Sequence, residues 1–169
     1  VGAELPRVPE LVSATTDEAL RLADRLYPEW PQFNVPLRLT LRGVLDAAVL
    51  RRALTEIVRR HEALRVVFAA HQGQPRPVPA GSWRVDLPAV DLRLLPDPAA
   101  AAASPTRSAA HRPIDLARGP LLRPLLLRTG DREHEILLVL HHIVGDDWST
   151  WLLGRELAVL YAAFAQGLP

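Results

Sequence analysis

Two adjacent imidazoles followed by a pair of carboxylates define the chemistry open to this chain. The run His141-His142-Ile143-Val144-Gly145-Asp146-Asp147-Trp148-Ser149 follows the apolar residues Ile136 to Leu140 and precedes a long amphipathic stretch, so it falls where a strand turns into a helix. A neutral imidazole exchanges protons near physiological pH, which makes either histidine a candidate general base. Neighbouring strand residues face opposite ways, so one histidine faces a cleft and the other the interior. Asp146 stands where a carboxylate can cap free helix N–H groups. Opposed histidines with no further ligand cluster argue against a metal site. Ser149 has no acid–base partner at a useful spacing, which argues against a serine hydrolase.

The elements that must hold these residues read as alternating strands and helices. Thr16 to Leu26 is an expected helix ended by Pro28, and Val35 to Leu41 alternates as a strand with one buried face. Asp46 opens a helix in which Ala47, Leu50, Leu54, Ile57 and Val58 recur at helical spacing. Its other side carries Arg51, Arg52, Arg59 and Arg60, a solvated stripe that could also meet an acidic carrier protein. Leu64 to Ala69 reads as a short strand, with Gln72-Gly73-Gln74 turning into a second one near Val78 or Trp83. Between Pro96 and Pro113, Ser104-Pro105 suggests a capped short helix to about Arg112, with a surface linker as the alternative. Leu121 to Arg128 and His134 to His142 form an expected hairpin across Thr129-Gly130-Asp131-Arg132. Asp147 to Gln166 closes the chain as a helix burying Trp151, Leu152, Leu157, Leu160, Tyr161 and Phe164, with Gly167 at its C-cap. Such mixing predicts an α/β or α+β layered fold, helices packed on a mixed sheet.

At 169 residues and 49% hydrophobic, residues 1–169 are expected to form one domain with a real core. The formal charge is +1, with arginines and carboxylates interspersed, so no broad basic face is advertised for nucleic acid or an anionic membrane. Cysteine is absent, which removes disulfides, thiolate ligands and a cysteine nucleophile, and fits a cytoplasmic setting. Every basic residue counted with Lys is Arg, so Schiff-base chemistry is excluded. Val1 to Glu10 has no apolar core for a signal peptide, and no run approaches the length that spans a bilayer. Without any Met, the chain is expected to be a piece of something larger.

The His141–Ser149 run resembles the HHxxxDG motif of nonribosomal peptide synthetase condensation domains. Arg60-His61-Glu62-Ala63-Leu64-Arg65-Val66-Val67-Phe68 is similar to the family's RHExLRTxF block, with Val66 for threonine. Pro113-Ile114-Asp115-Leu116-Ala117-Arg118-Gly119-Pro120-Leu121-Leu122-Arg123 is similar to PFDLxxGPLLR, with Ile114 for phenylalanine. Weaker echoes are Phe33-Asn34-Val35-Pro36 and Gly43-Val44-Leu45-Asp46. A lone HxxxD means little, but these blocks stand in the family's order.

The resemblance implies the N-terminal lobe of a two-lobed, chloramphenicol-acetyltransferase-like fold whose tunnel lies between the lobes. It implies a peptide-bond-forming acyltransferase acting on thioesters carried by phosphopantetheine arms of carrier proteins, with no cofactor bound by the domain itself. It makes His142 the catalytic residue, and it gives His141 and Asp146 structural roles, Asp146 pairing with Arg60 or Arg65. Asp147 replaces the motif's glycine, keeping a backbone N–H for an oxyanion; its carboxylate either faces the tunnel or, as preferred, caps the helix. The family's first motif, SxAQxRLW, has no convincing match between Ala14 and Arg21. Alternatives are an epimerisation domain, which Trp148 before Ser149 disfavours, a coenzyme-A-dependent acyltransferase lobe, or a noncatalytic module recruiting a carrier or tailoring enzyme. The isolated lobe is expected to lack activity and to self-associate through the face that a C-terminal lobe would cover.

Overall fold

Asn34–Arg42 (β1) exposes Pro36, Arg38, Thr40 and Arg42 on one side and turns Leu37, Leu39 and Leu41 inward, as its alternation predicts. The structure, a computed structural model, describes residues 33–71, 74–80 and 84–168. The expected helix at Thr16 to Leu26 and the segment matched against SxAQxRLW lie outside these residues. Ala47–Arg60 (α1) begins where Asp46 accepts hydrogen bonds from the N–H groups of Ala48 and Val49, and it buries Leu50, Ala53, Leu54, Ile57 and Val58. A 3₁₀ turn, Glu62–Arg65, leads into Val66–His71 (β2), which pairs antiparallel with Gln74–Pro79 (β3).

The second strand therefore starts earlier than Val78. His71 pairs with Gln74, and the prolines at 75, 77 and 79 that obscured the strand are tolerated on the edge of a two-stranded ribbon. Ala89–Asp91 (β4) precedes two short helices, Pro98–Ala101 (α2) and Ala103–His111 (α3). Cap and first-turn proline are present, but at Asp97-Pro98; α3 starts at Ala103 with no side-chain cap, so Ser104-Pro105 is not its start. The remaining elements are Leu122–Arg128 (β5), Glu133–His141 (β6) and Asp147–Ala165 (α4).

The main sheet has the order β1-β6-β5-β4. Antiparallel pairing joins β1 to β6 and β6 to the expected hairpin partner β5, while β4 runs parallel to β5, so the sheet is mixed. β6 is central and buried on both faces from Ile136 to His141. Ile136, Leu138 and Leu140 meet α1 and α4, where Leu54, Ile57, Leu153, Leu157 and Leu160 complete one core. Leu137 and Val139 point the other way into a second core of Val66, Phe68, Ile114, Leu116, Leu121 and Ile143. The helical phase of α4 selects Leu153, Leu157, Leu160 and Phe164 for burial; Trp151 and Leu152, expected inside, are 54% and 44% exposed. Gly167 ends α4 at φ +74, a left-handed position that an L side chain resists.

Candidate functional site

The separation of the two histidines follows from where β6 ends. His141 is the last strand residue, paired in register with Asn34, and is 2% exposed. Its N–H donates to the Leu121 carbonyl at 3.1 Å, and its Nδ1 accepts from the Ile143 N–H at 3.1 Å. The neutral ring therefore carries its proton on Nε2. Burial, with a smaller contribution from His142, pushes its pKa down from 6.5 to about 4. Packed 5.9 Å from the Phe33 ring, it is a neutral wall of the second core.

His142 is the first residue beyond the ladder and is exposed. Its N–H donates to the Phe33 carbonyl at 2.7 Å, which ties the turn to the start of β1. Its Nδ1 lies 3.0 Å from the Gly145 carbonyl oxygen. A carbonyl only accepts, so Nδ1 carries a proton, and in the neutral ring Nε2 keeps its lone pair. That is the tautomer a general base needs. The turn is tight at Gly145, where an added Cβ would stand 3.4 Å from Leu140 Cδ2 and 3.5 Å from Ser149 Cβ.

Asp146 supplies the N-cap of α4. Its Oδ1 accepts from the Ser149 N–H at 2.8 Å and from the Ser149 hydroxyl at 2.7 Å, and those two bonds, helped by His142, hold its carboxyl below the usual carboxylate range. Asp147 is consequently the first helical residue, with the cap position already taken by its neighbour. The opening N–H groups of a helix have no partner within it and carry a partial positive charge, so this end of α4 suits an oxyanion.

Neither Arg60 nor Arg65, the arginines expected to pair with Asp146, does so. Among the described residues no ion pair joins Asp146 to an arginine. Arg60 instead meets Glu56 at 2.7 Å and Glu156 at 3.5 Å, and His61 Nε2 lies 2.6 Å from Glu156. The C-terminal end of α1 thus rests against the middle of α4, about 15 Å along the helix from Asp146. Arg65 lines a groove on α1, its Nε sealed from solvent with no hydrogen-bond partner among the described residues.

The matched blocks converge on the histidine end of β6. The Phe68 N–H donates to Leu116 at 2.8 Å, and Arg123 reaches back to the carbonyls of Arg112 and Pro113. Asn34 donates its amide to Ala110 at 2.7 Å and Arg112 at 2.8 Å, holding the end of α3 beside β1. Asp115 closes a turn through the Ala117 N–H and, by its carbonyl, the Gly119 N–H. Sequence reasoning did not find Glu156, the Gly145 carbonyl or the clamp role of Ser149. Only Asn34 had a visible signal, its place in the Phe33–Pro36 echo.

Among the described residues no three His, Cys, Asp or Glu side chains could hold a metal ion, and no helix is long and apolar enough to cross a membrane.

A family model described as the condensation domain matches residues 18–169. Chondramide synthase cmdD of Chondromyces crocatus is 47% identical over 139 residues, 81% of this chain and 4% of that protein. Phosphinothricin tripeptide synthetase PhsC of Streptomyces viridochromogenes is 46% identical over 143 residues, 83% of this chain and 13% of that protein. The crystal structure of the starter condensation domain of rhizomide synthetase RzmA superposes with TM-score 0.86 at 27% identity, covering 93% of this chain and 38% of that one. The first condensation domain of the calcium-dependent antibiotic synthetase, in complex with substrate analogue 2a, gives TM-score 0.84 at 30% identity, covering 94% and 38%. The chain therefore spans a small fraction of these curated relatives and just over a third of the solved domains.

Proposed function

The chain belongs to the condensation-domain family, and on that premise we propose that it is the N-terminal lobe of a domain that joins an acyl thioester to an amine through an amide bond. The observation that carries this reading is the exposed His142, its Nδ1–H fixed on the Gly145 carbonyl and its Nε2 lone pair free to accept. A thioester is already activated, so the protein must orient an amine, take one proton and stabilise an oxyanion. An α-amine has a pKa near ~8, so an appreciable fraction is neutral at physiological pH and a neutral imidazole suffices.

In this reading the amine nitrogen attacks the thioester carbonyl and gives its proton to His142 Nε2. The tetrahedral oxyanion faces the N-terminal end of α4, where the Asp147 N–H is one donor. The attack has already made the C–N bond, so collapse of the oxyanion re-forms the carbonyl, breaks the C–S bond and returns the proton from His142 to the departing thiolate. His141 and Asp146 act as positioning residues, one sealing the strand end and the other fixing the turn. Donor and acceptor ride on phosphopantetheine arms of carrier proteins, and a C-terminal lobe supplies the far wall of the tunnel.

A second donor class has one supporting observation. A variant of the rhizomide starter domain was crystallised in complex with C8-CoA and Leu-SNAC, so a coenzyme A thioester is a donor to compare. The test assays amide formation by the complete two-lobed parent with loaded carriers, with and without C8-CoA, against its His142→Ala variant. Loss of product with an unchanged melting temperature is expected. Wild-type turnover by the variant overturns the assignment of His142, and a coenzyme A donor outpacing the carrier-bound one overturns the donor class.

A further inference from the structure

The start of β1 stands beside the end of β6. Asn34 pairs with His141 in the ladder, and the carbonyl one residue before it, that of Phe33, accepts from the His142 N–H at 2.7 Å. That carbonyl and the Asn34 N–H belong to one planar peptide group, whose far end is the Asn34 Cα. Whatever holds Asn34 therefore sets the direction in which the Phe33 oxygen points.

Two constraints act on Asn34. One is the ladder, and the other is its side chain, whose amide donates to the carbonyls of Ala110 at 2.7 Å and Arg112 at 2.8 Å, 76 and 78 residues away in the chain. Both acceptors stand at the C-terminal end of α3, where the last carbonyls of a helix have no partner within it. Arg123 donates to the same Arg112 carbonyl from β5, so this helix end is fixed to the sheet from two strands.

The side chain suits the task closely. An aspartate would turn two acceptors toward two carbonyl oxygens, a serine would supply one donor for both, and a glutamine would set its amide one methylene too far out. A helix end that needed only capping could take its donors from water or a nearby loop. Here they come from the residue whose peptide group holds His142.

With the Phe33 oxygen fixed, the first residue of the turn is fixed, and the His142 ring is left within reach of the Gly145 carbonyl, 3.0 Å from Nδ1. Were that oxygen to swing away, the turn would lose its anchor and the Nδ1–H bond would be released. The neutral ring could then carry its proton on Nε2, where no lone pair would remain for an amine.

We propose that Asn34 is a positioning residue for acyl transfer: by tying β1 to the end of α3 it fixes the Phe33 carbonyl, and through it the turn that keeps the proton of His142 on Nδ1. The proposal rests on the reading of His142 as the base. Its test uses the complete two-lobed domain with isotope-labelled histidine, at a pH where the imidazole is neutral. Long-range proton–nitrogen NMR spectra report which ring nitrogen of His142 is protonated, and the His142→Asn variant assigns the signals by lacking them. Asn34→Ala is expected to move the ring from the Nδ1–H toward the Nε2–H tautomer and to lower kcat at least about tenfold, with KM for the carrier-bound substrates unchanged. Arg123→Ala, which removes the other donor from the same helix end, is expected to lower the melting temperature and leave tautomer and kcat in place. Asn34→Ser keeps one donor and carries the same readouts should the alanine variant not fold. An unchanged His142 signal in the Asn34 variants, or the same loss of tautomer and rate in Arg123→Ala, overturns the proposal. A shifted tautomer with an undiminished rate upholds the positioning of the ring and tells instead against His142 as the base.

Discussion

One oxygen of Asp146 holds both the backbone N–H and the hydroxyl of Ser149, at 2.8 and 2.7 Å. The carboxylate thus closes the turn that begins at His142 by clamping its far side to the first turn of α4. Replacing Asp146 with alanine removes the cap, at an expected cost of about 1 to 2 kcal/mol, whereas asparagine should restore most of it. Ser149→Ala keeps the N–H bond and should cost less than Asp146→Ala. Urea denaturation of the three variants checks the order; an alanine variant as stable as wild type would remove the capping role.

His142→Asn separates tautomer control from proton transfer. The asparagine amide can still donate toward the Gly145 carbonyl, but it offers nothing in place of Nε2. Turnover in the two-lobed parent should fall by about 10² to 10⁴ with little change in folding. Retention of rate by this variant would mean that His142 only shapes the turn.

His141 makes stability depend on pH in a defined window. Its folded pKa of about 4 lies below the ordinary 6.5 because the ring is buried, with a smaller contribution from His142. Above 6.5 folded and unfolded chains are both neutral here; between 6.5 and 4 the unfolded chain takes up a proton that the folded one refuses. Stability should therefore decline across that window, by up to about 3 kcal/mol, and then level off. His141→Asn, whose side-chain oxygen can still accept from Ile143, should flatten that part of the profile. An identical slope in the variant would assign the effect to other groups.

Asp147 occupies the first helical position, so Asp147→Gly should lower stability by about 1 kcal/mol, through lost helix propensity and a lost first-turn carboxylate. The rate of acyl transfer should not change. A faster variant with an unchanged melting temperature would show instead that the carboxylate opposes the developing oxyanion.

What the sequence discloses is whatever a single buried face imprints on it. The alternation of Val35 to Leu41 and the helical spacing of Leu50, Leu54 and Ile57 yield β1 and α1 directly. β4 is illegible because its three residues are a strand only by virtue of Leu126 to Arg128 lying beside them. The site divides along the same line. Opposite facing of His141 and His142 follows from strand geometry, but the bond from His142 to Gly145 depends on how the turn curls. The arginine sought for Asp146 illustrates a competition: a serine three residues on satisfies the carboxylate locally, while Glu156, far off in the chain, engages Arg60.

β6 is covered on both faces along the stretch that ends in His141, and its neighbours pair along it, β1 as far as His141 and β5 as far as Leu140. Such a strand belongs to the part of a protein that opens only when everything opens. His142, the proposed base, is the first residue beyond this strand, so the turn that carries it is anchored on a segment that opens with the fold as a whole. In the proposed reaction, the movements that admit and release substrates fall to the surfaces that approach His142 from outside this sheet.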